Sequence, residues 1–177
     1  MIGSEAMARE ILNFPFHAEV ETYFNSWSDK MITNFHTDFS ILPEGWTLAG
    51  AGTSRYAFRG PDGVIYKVPT HVLNFCEPSE WRISDNFSEA YIYMEFAAMV
   101  ERETNGKVRM AESHYFYDLD IIAMEYSERV NDAPEDHKAM LKSLNMHGDL
   151  HDGNIWSDRR GTVMVDYGYV KAVYDQF

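Results

Sequence analysis

The sequence predicts an α+β fold built on an antiparallel sheet. Three observations carry that expectation. Three strand-like stretches crowd between residues 46 and 68, the last two split by the turn signal Gly60-Pro61-Asp62-Gly63. One long stretch, 86–104, carries apolar residues at helical spacing. Short strands then recur in pairs rather than alternating with helices, which argues against a doubly wound α/β sheet.

Taken in order, residues 4–12 and 17–34 read as amphipathic helices separated by Pro15, the second with Val20, Phe24, Trp27 and Met31 on one stripe. Both are expected to pack on the domain as an extension over 1–42. Trp46–Ala49, Tyr56–Arg59 and Val64–Val68 read as strands, and 70–84 as irregular chain. The long helix has Glu89, Ile92, Phe96, Met99 and Val100 on one face and ends at Asn105-Gly106. Residues 107–126 hold two strands with a turn near Asp118. Residues 134–145 form a second helix, with Met140, Leu141 and Leu144 inward. Two short strands near Ile155-Trp156 and Thr162–Val165 close the pattern, joined by the turn Asp158–Gly161.

Composition limits the classes of function. The 177 residues suit one domain with a sizeable core, and 45% hydrophobic with 24% charged residues is a globular balance. A net charge of −13, from 15 basic and 28 acidic residues, argues against binding a nucleic-acid backbone. It suits solubility first, and a basic protein partner second. Cys76 is the only cysteine, so no intrachain disulfide is expected, and a reducing cytoplasm fits. The start MIGSEAMAREILNF lacks a signal-peptide pattern, and no apolar run is long enough for a membrane span. The remaining histidines have no zinc-ligand spacing.

The candidate chemistry lies in a few clusters. His147-Gly148-Asp149-Leu150-His151-Asp152-Gly153-Asn154 is followed by Val163-Met164-Val165 and then Asp166-Tyr167-Gly168, which sets a carboxylate at the end of a buried-strand pattern. Gly50-Ala51-Gly52-Thr53-Ser54-Arg55 sits between two strands, with glycines that allow close backbone approach to phosphate. Lys67 ends the mostly apolar strand Val64-Ile65-Tyr66-Lys67 and needs an anionic partner once buried. Glu89 shares a helical face with Ile92 and Phe96, where a carboxylate is costly unless paired. Lys67 is its natural partner, and Glu95 is the competing carboxylate.

In their order, these clusters resemble the motifs of the protein kinase-like superfamily over residues 46 to 170. In detail the HGDLHDGN loop is similar to those of aminoglycoside phosphotransferases and atypical kinases. The resemblance implies a small lobe and hinge at 43–126 and a much reduced helical large lobe at 127–177. It implies ATP and Mg2+ as cofactors, with Mn2+ as an alternative metal. It makes Asp149 the group that orients the acceptor hydroxyl and takes its proton, and Lys67, paired to Glu89, the cation on the phosphates. Asn154 and Asp166 become the metal ligands, and His151 a contact to the γ-phosphate. Residues 50–55 would cover the phosphates, with Arg55 standing where the family has its third glycine. Met124 would be the gatekeeper, and the backbones of Glu125 and Ser127 would bind the adenine edge. Little chain follows the DYG segment, so the family's activation segment and substrate platform are not expected. The miniature size resembles bacterial and phage kinases that modify host proteins in the host cytoplasm. The expected function is therefore a serine/threonine protein kinase acting on a protein or on itself, with a second copy of the chain as one candidate for the missing platform. The alternatives are a small-molecule phosphotransferase and an ATP-binding pseudokinase that acts as an acidic protein-binding module.

Overall fold

The computed structural model describes residues 2–25, 30–52, 54–70, 84–144 and 153–167. Helix α1 (Glu5–Leu12) starts at Ser4, whose hydroxyl accepts the Met7 amide at 3.2 Å, and it buries Ala8 and Ile11. The second N-terminal helix expected over 17–34 is corrected. This region forms β1 (His17–Asn25) and β2 (Lys30–Asp38), an antiparallel pair running from His17 opposite Asp38 to Asn25 opposite Lys30. Ala18, Val20 and Phe24 alternate with Glu19, Glu21 and Tyr23, and both segments are rich in β-branched and aromatic residues. Period two and period 3.6 coincide at Val20 and Phe24, so the helical stripe was fortuitous.

A five-stranded sheet follows from β3 (Thr47–Ala51), β4 (Arg55–Arg59), β5 (Ile65–Pro69), β7 (Ser113–Phe116) and β8 (Ile121–Met124). The strand order is β3-β4-β5-β8-β7, and every pairing is antiparallel. The expected turn joins β4 to β5, closed by a 2.9 Å bond from the Gly63 amide to the Gly60 carbonyl. Helix α2 (Asp85–Glu103) is capped by the Ser84 hydroxyl. It ends where Asn105 and Gly106 take left-handed angles, φ 53° and 72°, and the Gly106 amide reaches back to the Glu101 carbonyl.

The stretch 107–126 differs from expectation. It holds three short strands rather than two, because β6 (Val108–Met110) leaves the five-stranded sheet. It joins β9 (Asn131–Asp132), β10 (Ile155–Asp158) and β11 (Gly161–Met164) in the order β6-β11-β10-β9. The β6–β11 pairing is parallel and the others are antiparallel. A three-residue strand whose partner lies some fifty residues away leaves no local pattern to read. Helix α3 (Glu135–Ser143) buries Leu141, with Met140 and Leu144 half-buried.

Two cores result. One lies between α1 and one face of the five-stranded sheet, around Ile11, Trp46, Phe58, Tyr66, Val68 and Ile121. The other joins α2 to the second sheet through Ile92, Val100, Val108, Leu141, Ile155 and Met164. Strand alternation then decides the site. Tyr66 and Val68 face the first core, so Lys67 between them faces the opposite way, toward α2. Among the described residues, no helix is long and apolar enough to cross a membrane.

Candidate functional site

Lys67 is buried on β5, and its Nζ lies 2.8 and 2.9 Å from the two carboxylate oxygens of Glu89 on α2. Glu89 is fully buried, whereas Glu95 is exposed. Two apolar faces meet at Glu89, so its charge has to be met by donors within the protein. Four serve it. Lys67 reaches both oxygens, the Tyr167 amide donates to Oε1 at 3.1 Å, and the Arg55 guanidinium donates to Oε2.

Asp166 enters from the other side. It follows β11 in a left-handed conformation, φ 49°, and its side chain is half exposed. Its Oδ1 accepts Lys67 Nζ at 3.1 Å and Arg55 Nη2 at 2.8 Å. Tyr167, which carries the following amide, is anchored through its own hydroxyl on the Ala111 carbonyl at 2.8 Å. Burial raises the Tyr167 hydroxyl well above its ordinary pKa, with the Glu89 charge acting in the same direction, so it is held as a donor.

Asn154 stands beside Asp166. Its amide nitrogen is 3.4 Å from the Asp166 carbonyl, and the Val165 amide returns to the Asn154 carbonyl at 2.8 Å. Among the described residues, no group of three or more His, Cys, Asp or Glu side chains could hold a metal ion. An Asn oxygen and one carboxylate are nevertheless hard donors of the kind Mg2+ takes, with its remaining positions filled by water and phosphate. Asn154 and Asp166 fit that donor chemistry.

Sequence reasoning placed Arg55 on phosphate but missed its carboxylate partners. Burial alone would weaken its charge, yet Glu89 and Asp166 outweigh that and raise its pKa. The signal was present in the strand register. Ala57 pairs with Lys67 across β4 and β5, so Arg55, two residues away, shares that face. Asn86 was also missed. Fully buried, it donates to the Lys67 carbonyl at 2.9 Å and the Asp120 carbonyl at 2.7 Å, tying the start of α2 to the sheet. It lies three residues before Glu89, on the same helical face.

The other expected site residues are more scattered. Gly50 and Ala51 lie on β3, Gly52 donates to the Arg55 carbonyl at 2.9 Å, and the Ser54 carbonyl accepts the Thr70 amide at 2.8 Å. Met124 is buried at the end of β8. The Glu125 amide donates to the Glu112 carbonyl at 2.8 Å, and its carboxylate takes Arg109 at 2.8 Å and also Arg160. The Ser127 hydroxyl donates to Asp158 at 2.9 Å and accepts the Trp156 indole at 3.0 Å. A cleft of about 410 Å³ opens along Glu125–Ser127, bounded by Arg59, Asp158 and Arg160, and none of the ion-paired groups around Glu89 lines it. Thr53, Asp149, His151 and Gly168 lie outside the described residues.

No protein-family model matches the chain. No curated protein matches it significantly.

Proposed function

We propose that the chain binds Mg-ATP at the junction of Lys67, Glu89 and Asp166 and transfers its γ-phosphoryl group to a hydroxyl, with a protein serine or threonine as the favoured acceptor. One observation carries the reading. A buried lysine, a helical carboxylate and the carboxylate after the last strand meet in ion pairs, although Lys67 is 22 residues from Glu89 and 99 from Asp166. The order of the elements that deliver them supports it: an antiparallel sheet with the lysine on its third strand, then the helix, then the closing hairpin.

In this reading Glu89 holds Lys67 extended, so that its ammonium is aimed at the phosphate oxygens. Asn154 and Asp166 hold the magnesium ion, which supplies charge neutralisation on the transferred group. Gly50 and Gly52 bring backbone amides over the phosphates. Met124 and the Glu125–Ser127 backbone face the adenine. Asp149 orients the acceptor hydroxyl and takes its proton.

The test is incubation of the pure protein with magnesium and γ-labelled ATP, alone and with a mixed protein lysate. Labelled protein is expected, reduced about 10²–10⁴-fold by Asp149→Ala and lost in Asp166→Ala. Absence of label, with Mg-ATP still raising the melting temperature, would move the reading to a small-molecule acceptor or a nucleotide-binding module. Absence of any ATP stabilisation would overturn it.

A further inference from the structure

Two cations and two carboxylates close on one another at this site. Arg55 spans both anions, with Nη1 on Glu89 and Nη2 on Asp166, while Lys67 does the same with a single ammonium. The burial is uneven. Glu89 is inaccessible and the Lys67 and Arg55 side chains are only 9% and 14% exposed, but Asp166 is 51% exposed. The quartet thus opens to solvent mainly at the Asp166 side chain.

We propose that Arg55 is a latch that makes binding of the divalent cation and of the polyphosphate mutually dependent. The inference rests on the reading of this site as a Mg-ATP pocket. A metal ion arriving alone must displace Arg55 and Lys67 from Asp166 and sit beside two cations that then share the Glu89 carboxylate. A polyphosphate arriving alone must draw the same cations away from Asp166 and set its own negative charge beside that carboxylate. When both arrive, the metal satisfies Asp166 and the phosphate takes the Arg55 guanidinium. Bidentate donors suit Arg55 for both partners, carboxylate in the closed state and phosphate in the open one. Glu89 stays paired to Lys67 and the Tyr167 amide throughout, so Arg55 can leave without stranding a buried charge.

Such coupling is reciprocal, and removing the latch shifts the two affinities in opposite directions. The experiment is calorimetric titration of the full chain with Mn2+ alone and with Mg-ATP, for the wild type, Arg55→Gln and Arg55→Lys, each first shown by urea unfolding to be folded. Arg55→Gln should bind Mn2+ about tenfold more tightly than the wild type and Mg-ATP about tenfold more weakly. Arg55→Lys, which keeps one charge but loses the two-pronged guanidinium fork, should move each affinity in the same direction as Arg55→Gln but by less, and serves if the glutamine variant does not fold. Affinities that stay within about twofold of the wild type, or that weaken together as for a purely structural residue, would overturn the latch and leave the proposed function standing. A wild type that does not bind Mg-ATP would overturn both.

Discussion

Glu89 is the residue on which the site depends. A fully buried carboxylate survives there because Lys67, Arg55 and the Tyr167 amide all donate to it. Replacing it with alanine leaves two cations facing each other across a cavity, with the half-exposed Asp166 as the carboxylate they share. Breaking a buried ion pair from one side costs about 3–5 kcal/mol, and Glu89→Ala should lower the unfolding free energy by that order in urea. Glu89→Gln, which keeps the volume and an acceptor oxygen, should cost less. A loss below about 1 kcal/mol in Glu89→Ala would mean that the quartet does not hold together in solution. The pairing of Lys67 with Glu89 was readable in the sequence, since each is a charge on an otherwise apolar face. Arg55 was not, because a polar residue in a glycine-rich turn reads locally as a surface group.

Among the elements, α1 is attached through a few specific contacts. The Ser4 amide donates to the Tyr66 hydroxyl at 3.0 Å, and that hydroxyl donates to Asp62 at 2.7 Å. Gly3 lets the chain come this close. Its φ is +71°, and an added Cβ would stand 2.6 Å from the Ala123 Cβ and 3.1 Å from the Tyr66 oxygen. Gly106 has nearly the same φ, +72°, but an added Cβ would meet nothing within 4 Å. The pair separates backbone strain from steric exclusion. Gly106→Ala should cost only the left-handed penalty of about 1–2 kcal/mol. Gly3→Ala should cost more, because Ala123 lies on a central strand and cannot yield. Equal losses in denaturant melts would show that α1 does not sit against β8 as described. The helix itself was legible as an amphipathic stretch over 4–12. Its docking was not, because Tyr66, which receives the Ser4 amide, lies 62 residues away, and Ala123 farther still.

Across the whole molecule, two titrating groups join segments distant in sequence and set the edges of a pH window. Burial pushes Asp158 upward, but the Arg160 amide, the Ser127 hydroxyl and Arg109 outweigh it, so its carboxyl lies below the ordinary 3.8. A lowered acid contributes stability above its unfolded value, and that contribution is lost as pH falls through the folded value. Tyr66 is pushed up to about 12, first by burial and then by its bond to Asp62. A raised value means stability that is complete below pH 10 and lost as pH climbs from 10 to about 12. The acid limb of the stability profile should therefore flatten in Asp158→Asn and the alkaline limb in Tyr66→Phe, measured as unfolding free energy against pH. Comparison with the wild type cancels the general repulsion of a chain carrying −13 charges. Unchanged limbs in both variants would refute the assignment.

Local chemistry was enough to place most of the elements. The Gly60–Gly63 turn, the Asn105-Gly106 stop of α2 and the closing hairpin at 155–164 depend on neighbours a few residues apart, and the sequence carries those directly. The same holds for the charges at Lys67, Glu89 and Asp166, whose apolar surroundings announce that they need partners. Pairing over long distances was decided elsewhere. Whether 17–38 coils or pairs, that β6 crosses to lie parallel to β11, and that Arg55 turns inward onto Glu89 and Asp166 depend on strand register and on which surfaces remain to be covered. Those choices are settled by the burial of apolar area and the neutralisation of buried charge across the assembled fold, and neither quantity exists until the distant segments meet.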